Sequence, residues 1–451
     1  GHASTGKTIL SEAMMCNGGA IRNMGNIQDG TTMSDYREYE ISNQHSISLS
    51  LMNLEWIDKK INIIDTPGYL DFHGEVKSAM SVADFAAIVV SATEGIDVGT
   101  ELCWEHADKE FNIPKLFIIN MTDKDQSDFD SVLSALQNRF GRTVFPFTLP
   151  VNQGPNFNQV ADVLRKEVFT FKDDSSGDYS EAAADENWSQ KLEEIHNELI
   201  ELIAESDENL LEIFFDKGEL SEDELRSGLH QALKSGGLIP VFCVAGKTNI
   251  GVKRMMDVLA KYAPCAGDFE KVQGNRPGSD EEVILGSTIN DPLSARVFKT
   301  ISEEHIGEMS FFRVYSGKVN AGDDLRNTTR NNSEKMRQIY FISGNKRKDA
   351  AQLIAGDIGA ALKLKNTHTG DTLSSPKSPI LLPEIKYPTS NMSFAIKPKA
   401  RGDEEKIANG LAVMHEVDPT FFYRVDPELK QTIISGQGEL HLDIALKQIS
   451  K

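Results

Sequence analysis

Residues 1–8, with the sequence GHASTGKT, have the residue types and spacing of a loop that wraps around phosphate groups. Glycines at positions 1 and 6 let the backbone curve closely enough for its N–H groups to point at phosphate oxygens. Lys7 would then bridge the β- and γ-phosphates of a nucleotide, and the Thr8 hydroxyl would ligate Mg²⁺. A helical stretch follows directly, as this pattern requires, so a chance glycine loop is the weaker interpretation.

A second candidate element, DTPG at residues 65–68, follows the apolar run INIID. Asp65 ends a predicted strand, where its carboxylate can hold Mg²⁺ through water. Thr66 and Pro67 form the turn, and the N–H of Gly68 can bond a γ-phosphate because glycine lets the backbone come close. Alone, DTPG is also compatible with an ordinary strand-to-turn junction. Together with the preceding loop it predicts a nucleotide phosphate site.

A third element, IINMTD, places Asn120, Met121 and Asp123 directly after an apolar strand. A carboxylate there can accept two hydrogen bonds, from the N1–H and the exocyclic amine of guanine. Adenine offers no such pair of donors, so Asp123 is predicted to select GTP over ATP. An Asx turn at the strand end is the alternative interpretation.

The elements that must position these residues are those of an α/β domain. INIID, FAAIVVSA and KLFIIN are short, continuous apolar runs, as in the strands of a buried parallel sheet. Helical stretches alternate with them, which predicts a mostly parallel, doubly wound sheet over a nucleotide-binding domain at residues 1–285. An acidic stretch at about 151–232, read as helical, interrupts this pattern as an inserted subdomain.

The remaining sequence predicts two further domains. CAGDFEKVQGNRPGSDEE is polar, with glycine and proline, and is interpreted as a linker. Short strands with turn signals then predict a β-barrel at 286–384. From 385 to 451 the pattern is strand-helix-strand-strand-helix, an α+β sandwich expected to be truncated before its last strand. Because Gly1 opens a loop that normally follows a strand, the chain is expected to be part of a longer protein.

Composition limits the classes of function. The 451 residues carry 47 Lys and Arg against 68 Asp and Glu, a net charge of −21, which argues against non-specific coating of nucleic acid. No apolar run is long enough to span a bilayer and no signal peptide is visible, so no membrane partner is expected. The four cysteines lie too far apart in sequence for a zinc knuckle or a redox pair. They are interpreted as reduced thiols of a cytoplasmic chain, expected to be monomeric.

The three motifs in this order, followed by a barrel and an α+β sandwich, resemble the translational GTPases. FFRVYSGKVNAGDDL, NKRKDAAQLIAGDIGAALKLKNTHTGDTL and QTIISGQGELHLDI resemble the second and third domains of elongation factor G in particular. The resemblance covers the whole chain. It implies GTP and GDP as nucleotides, Mg²⁺ as the metal, and the ribosome as partner, through its rRNA and stalk proteins. It also implies two further domains beyond Lys451.

The resemblance implies nucleotide contacts at each position of the loop: Gly1, His2, Ala3, Ser4, Thr5, Gly6, Lys7 and Thr8. Ser4 departs from the family, which usually has aspartate there. DGTTMSDY resembles the first switch, but NQHS replaces Arg-Gly-Ile-Thr, so that Ser46 supplies the hydroxyl expected to ligate Mg²⁺. In the base site Met121 replaces a lysine. Ala245 and Gly246 replace a Ser-Ala pair, and the Gly246 N–H is expected to reach the guanine O6.

Tyr69 occupies the position at which the family has a histidine that orients the attacking water. Imidazole titrates near pH ~6.5 and its nitrogens both donate and accept, whereas a phenol titrates only near ~10. One interpretation is a neutral variant in which backbone and metal do most of the work. The other, favoured as well by the departures at Ser4, in the first switch and at Met121, is a protein that binds GTP and hydrolyses it slowly.

Three functions fit the sequence to different degrees. The first is an elongation factor G-like GTPase that promotes translocation of tRNA and mRNA. The second is a ribosome-binding protection, rescue or recycling factor with little GTP turnover. The third, a metabolic or signalling nucleoside triphosphatase, is disfavoured by the barrel and by GQGELHLDI. The acidic insertion is either a solvated helical face or a docking surface, and the resemblance implies that it meets the ribosomal stalk.

Overall fold

The computed structural model describes residues 1–303, 307–398, 402–428 and 431–450. They form two compact units. The first contains residues 1–46, 50–68 and 83–264, and the second contains residues 47–49, 69–82 and 265–451. The second unit therefore holds both the predicted barrel and the predicted α+β part, together with the segment that follows DTPG. The predicted boundaries at residues 285 and 384 stay predictions.

A four-stranded parallel sheet forms the centre of the first unit, and its strands are almost entirely buried. In spatial order the strands are Ala86–Ser91, Lys115–Asn120, Ile239–Cys243 and Val144–Pro146. Outside the insertion, the helices of this unit are Lys7–Asn17, Glu38–Asn43, Val98–Glu105, the π-helical turn His106–Glu110, Phe129–Phe140 and Val252–Tyr262. The predicted mostly parallel α/β sheet is confirmed, with strand carboxyl ends that carry Asn120 and the 245–246 loop.

The run INIID is a strand, but it does not lie in a buried parallel arrangement. Lys59–Asp65 pairs antiparallel with Ser50–Trp56, and its first residues are exposed or half-buried. The two strands are joined directly by Ile57 and Asp58, both with positive φ (47° and 57°), which is the geometry of a tight hairpin turn. The prediction of a parallel strand was wrong here because a two-residue connection permits only antiparallel pairing.

The inserted subdomain is only partly helical. It begins with a four-stranded antiparallel sheet and continues with three helices. The strands are Thr148–Pro150, Gln159–Asp162, Glu167–Phe171 and Tyr179–Ala183, and the helices are Glu186–Ala204, Glu208–Lys217 and Glu222–Ser235. The helical prediction was wrong for residues 151–183. It gave weight to the acidic residues of the stretch and not to the buried β-branched and aromatic residues that favour short strands.

From residue 265 onward the second unit has a short 3₁₀ turn, Ala266–Asp268, and an antiparallel hairpin where a linker was predicted. Lys271–Asn275 pairs with Glu282–Gly286 around a Pro277-Gly278 turn, so the linker interpretation was wrong. Among the described residues from 294 to 374, ten strands then follow: Ser294–Glu303, Gly307–Ser316, Lys318–Asn320, Asp324–Asn327, Asn332–Lys335, Ile339–Ser343, Lys346–Ala350, Gln352–Ile354, Ile358–Leu362 and Thr372–Ser374. Eight of them form one sheet around an apolar core, which confirms the predicted barrel.

The α+β part has the predicted order of elements. Its strands are Met392–Ile396, Phe422–Asp426 and Gln431–Gly436, and its helices are Glu404–Val417 and Glu439–Ile449. One face of the antiparallel sheet packs on both helices around Phe421, Ile434 and Leu442. Lys451, the last residue of the range predicted for this domain, lies outside the described residues.

The segment after DTPG forms a 3₁₀ turn, Leu70–Phe72, and a fully buried helix, His73–Met80. Glu75 on this helix accepts hydrogen bonds from the N–H of Leu49 (2.8 Å) and from the ammonium of Lys299 on the barrel (2.5 Å). A buried charge pair of this kind is costly to break, because either partner alone would be left desolvated. The helix is therefore held by the rest of the second unit.

The pair of His441 and the half-buried Asp418 in the α+β part makes a pH-dependent contribution to stability. Burial alone would raise the pKa of Asp418, but hydrogen bonds from His441 (2.8 Å) and Thr420 (2.6 Å) outweigh it and lower that pKa to about 2. The unfolded value is ~3.9. A depressed carboxyl pKa stabilises the fold above the unfolded pKa, and this contribution disappears as pH falls through the folded one.

Asp418→Asn is therefore expected to lower the free energy of unfolding at pH 6 by about 2 kcal/mol. The gap to the unsubstituted protein should close by about half at pH 3, since the carboxyl in the unfolded chain is then largely protonated. Urea unfolding between pH 6 and pH 3 measures it, with the exposed Asp443→Asn as control. A gap that stays constant with pH would show that the charge of Asp418 is not its source.

Candidate functional site

The phosphate loop leads directly into the helix Lys7–Asn17, as the sequence predicted. Gly6 has a φ of 81°, in the left-handed region, and an added Cβ would lie 2.6 Å from the side-chain nitrogen of Asn120. Within the described part of the chain no side chain caps this helix, so its first-turn N–H groups are not used by a side-chain acceptor. An uncapped helix N-terminus of this kind attracts anions, and phosphate groups in particular.

Lys7 points back along the loop and donates a hydrogen bond to the carbonyl of His2, 2.6 Å away. Burial lowers the pKa of its ammonium, and the nearby Asp65 charge opposes that shift. Gly68 packs against the same place, since an added Cβ there would lie 2.6 Å from the backbone nitrogen of Ala3. The loop and the DTPG turn are thus adjacent within the first unit, as a shared phosphate site requires.

Oxygen atoms converge on the carboxylate of Asp65, which is buried at the end of its strand. Thr8 donates to its Oδ2 (2.9 Å), and Ser34 donates to the same oxygen (2.8 Å). The hydroxyl of Ser46 lies 3.2 Å from that of Thr8. The three residues predicted as metal ligands, Thr8, Ser46 and Asp65, are therefore brought together.

Two further residues of this cluster, Ser34 and Asp35, were not predicted as site residues. Both lie in DGTTMSDY, the stretch that resembles the first switch. Asp35 is 3% exposed, and burial together with the neighbouring charges of Asp65 and Glu40 raises the pKa of its carboxyl to about 7. Burial likewise raises the pKa of Asp65. A cation would stabilise the charged forms of two buried carboxylates placed so close together.

These donors fit Mg²⁺, which prefers carboxylate, hydroxyl, water and phosphate oxygens. In the described part of the chain no group of three or more His, Cys, Asp or Glu side chains is placed to hold a metal. A magnesium ion at Thr8, Ser46 and Asp65 would thus depend on hydroxyls and on nucleotide phosphates as well as on carboxylates. Such incomplete protein coordination is usual for Mg²⁺ with nucleotides.

The candidate base site lies beside the loop. Asn120 is buried, donates to the carbonyl of Thr5 (2.9 Å) and accepts from the N–H of Gly246 (2.9 Å). Its side chain therefore joins the phosphate loop to the 245–246 loop. The Gly246 N–H that was expected to reach the guanine O6 is engaged by Asn120, and the Ala245 N–H donates to Ile250.

Met121 and Asp123 lie in the turn that follows this strand. Met121 has a φ of 65°, and its terminal methyl approaches Gly6. Asp123 is half-buried, so its carboxylate is open on one side to a ligand. Met121 thus lies beside the phosphate loop, and base binding by Met121 and Asp123 stays a prediction.

Two of the departures from the family pattern lie at exposed positions. Ser4 is exposed at the tip of the loop, with a φ of 62°. Tyr69 is 39% exposed and directly precedes the turn Leu70–Phe72, where it belongs to the second unit by its contacts. Thr66, Pro67 and Gly68, which belong to the first unit, connect it to Asp65. Substitution of Tyr69 is therefore expected to leave both folded units intact.

A loop at a helix N-terminus, a buried aspartate bonded to Thr8 of that helix, and an Asn-x-x-Asp turn whose asparagine bonds the same loop define a P-loop nucleotide-binding protein. The family model of the elongation factor Tu GTP binding domain matches residues 1–265. The models of elongation factor G domain 2 and elongation factor G domain III match residues 292–376 and 387–451. The chain belongs to the translational GTPases of the elongation factor G type, proteins that bind GTP and GDP.

A solved structure is similar over the whole chain. It is a crystal structure of a protein from Thermus thermophilus, with a TM-score of 0.88 and 26% sequence identity. The match covers 100% of this chain and 64% of that one, so the chain spans less than two thirds of the length of its relative. Among the described residues, no helix is both long and apolar enough to cross a membrane.

Proposed function

We propose that this protein binds GTP with Mg²⁺ and acts on the ribosome, where it promotes translocation of tRNA and mRNA with slowed hydrolysis. The observation that carries the nucleotide part is the hydrogen bond between Thr8 and Asp65, together with the Lys7 ammonium, which lies against Gly68 and feels the charge of Asp65. Family membership in all three regions supports the ribosomal part. Bound Mg²⁺ would neutralise charge on the β- and γ-phosphates.

The chain's own residues would have separate tasks in this reaction. The loop N–H groups and Lys7 hold the phosphates, while Thr8, Ser46 and Asp65 supply oxygens to the metal site. The Gly68 N–H approaches the γ-phosphate, and Tyr69 can hold the attacking water only by a hydrogen bond from or to its hydroxyl. Asp123 reads the base, and the remaining loop positions, from Gly1 to Thr5, shape the backbone around the phosphates.

Asp123→Asn tests the base-reading role. The amide would replace one acceptor oxygen by a donor, which mismatches the guanine N–H pair and suits xanthine, whose C2 carries a carbonyl. GTP affinity is expected to fall by about 30-fold, from the loss of hydrogen bonds to a charged acceptor, and XTP affinity should rise. Nucleotide titration monitored by fluorescence measures both. The exposed neighbour Asp125→Asn is the control, and an unchanged GTP-to-XTP preference would remove Asp123 from the base site.

Sedimentation in a sucrose gradient tests the ribosomal part. Co-sedimentation with ribosomes is expected with a non-hydrolysable GTP analogue and should weaken with GDP. If nucleotide does not change co-sedimentation, ribosome binding is contradicted and a nucleoside triphosphatase without ribosomal contact becomes the favoured function. Movement of mRNA, followed in a single-round toeprint assay, then separates translocation from other ribosomal steps.

A protection, rescue or recycling factor with little GTP turnover is the second candidate. Tyr69 favours it, because the phenol lacks the proton-accepting nitrogen of imidazole near neutral pH. The altered first switch, with NQHS ending at Ser46, favours it as well. Ribosome binding with GTP, without mRNA movement, is the result expected for this candidate.

A further inference from the structure

The last helix of the second unit, Glu439–Ile449, begins without a cap of its own. Its N-cap residue is Gly438, which has no side chain to accept the free N–H groups of the first turn. The φ and ψ of Gly438 are −169° and −179°, an extended conformation that any residue adopts. Backbone conformation therefore does not explain why a glycine stands there.

A carboxylate from a distant part of the chain occupies the place of the missing cap. Asp71, 370 residues before His441, accepts a hydrogen bond from the His441 N–H at 3.3 Å. An added Cβ on Gly438 would lie 2.6 Å from the Asp71 Cγ and 2.8 Å from its Oδ1. Gly438 is thus the residue type that lets the Asp71 carboxylate approach the helix end.

The other half of the capping arrangement comes from the helix itself. His441 is buried, and its Nδ1 accepts a hydrogen bond from the N–H of Gln437 (3.1 Å), just before the helix. Its Nε2–H then faces Asp418 at 2.8 Å. In an ordinary capping box one N-cap side chain and one third-position side chain exchange such bonds with the backbone. Here Asp71 supplies the N-cap half.

Additional contacts hold the Asp71 segment against this helix end. The ring of Phe72 meets the His441 ring edge-on, with centroids 6.1 Å apart. Gly74 approaches Thr420, whose methyl would lie 2.5 Å from an added Cβ. The turn after DTPG and the first turn of the last helix are therefore packed as one body within the second unit.

We propose that Asp71 is a positioning residue: its carboxylate caps helix Glu439–Ile449 and ties the turn after Gly68 to that helix. Displacement of residues 69–72 then removes the cap as well as a packing contact. Because Gly68 precedes this turn by covalent connection, a change at the γ-phosphate reaches the helix through Asp71. This last consequence rests on the proposed function, whereas the capping contact does not.

Hydrogen exchange of the nucleotide-free protein tests the capping contact. In Asp71→Ala the amides of residues 439–441 are expected to exchange about fivefold faster, the size of effect that loss of an N-cap produces. Gly438→Ser provides a cap within the helix and its Cβ displaces the Asp71 carboxylate. In that variant residues 439–441 should stay protected while residues 72–76 exchange faster. Unchanged exchange of 439–441 in Asp71→Ala would overturn the proposal.

The double variant Asp71→Ala with Gly438→Ser distinguishes two roles of Asp71. Asp71 either connects the turn after Gly68 to helix Glu439–Ile449, or it only caps that helix. Protection of residues 439–441 should return, because serine caps the helix and no carboxylate obstructs it. The amides of residues 72–76 should still exchange fast, because the Asp71 contact with the helix is absent. Recovery of both segments would show that Asp71 serves only as a cap, which would overturn the positioning role.

A comparison of the GDP-bound protein with the protein bound to a GTP analogue tests whether a change at the γ-phosphate reaches helix Glu439–Ile449 through Asp71. Exchange of residues 439–441 is expected to differ between GDP and a non-hydrolysable GTP analogue, and this difference should vanish in the double variant. A difference that persists there would overturn transmission through Asp71. Direct titration shows independently whether nucleotide binds at all, so a failure of the proposed function is distinguishable from a failure of the cap.

Discussion

Lys7→Ala is expected to weaken GTP binding by about 100- to 1,000-fold while leaving the fold intact, since an ammonium partly shielded from water contributes several kcal/mol toward a phosphate pair. The ammonium sits between the His2 carbonyl and the place where Gly68 approaches the loop. It donates to that carbonyl at 2.6 Å, and a phosphate oxygen can replace this acceptor at little cost. The pKa of this lysine is lowered by burial, and a polyphosphate would restore the charged form.

Equilibrium titration with a fluorescent GTP analogue measures the effect, with thermal unfolding as the check on folding. Lys109→Ala is the matched control, because Lys109 is exposed and pairs with Glu105 on its own helical segment. Such a surface pair contributes little. GTP affinity within about threefold of wild type in Lys7→Ala, less than the loss of one charged hydrogen bond, would place the nucleotide elsewhere.

Features set by neighbouring residues could be predicted from sequence. The loop before Lys7–Asn17, Asn120 at the end of its strand, and the strand spacing of the barrel all follow from local patterns of glycine, apolar runs and turns. These patterns determine local conformation and burial, which do not depend on the identity of the partner strand.

Features set by distant partners could not be predicted in the same way. The pairing of Lys59–Asp65 depends on the strand before it, and the turn at Ile57 and Asp58 lacks the glycine that normally signals a hairpin. The contact of Asp71 with the helix after Gly438 joins two segments 370 residues apart, and neither carries a local signal for the other.

The cluster around Asp65 also depends on distant partners, so its members could not all be predicted from local sequence. A serine and an aspartate in the DGTTMSDY stretch have no spacing relation to the phosphate loop, yet the fold brings Ser34 to 2.8 Å from Asp65. The engagement of the Gly246 N–H by Asn120 is likewise absent from any local pattern, because it depends on how two strand-end loops meet.

Tyr69→His is expected to raise ribosome-stimulated GTP hydrolysis by ~10²-fold or more, the range over which a positioned acid or base accelerates a reaction. The wild-type hydroxyl can bond a water molecule but cannot accept its proton near neutral pH, whereas an imidazole can do both. Tyr69 is 39% exposed at the edge of a 3₁₀ turn, so the smaller ring fits without repacking a core.

Single-turnover hydrolysis of GTP on ribosomes measures the effect, and Tyr69→Phe is the matched control. The phenylalanine keeps the aromatic ring and removes the hydroxyl, so its rate reports what the hydroxyl contributes. If that hydroxyl positions water, Tyr69→Phe should be slower than wild type and Tyr69→His faster. A wild-type rate already equal to that of an ordinary elongation factor G, and unchanged in Tyr69→His, would contradict slowed hydrolysis. Backbone donors such as the Gly68 N–H, together with the metal, would then account for catalysis at this site.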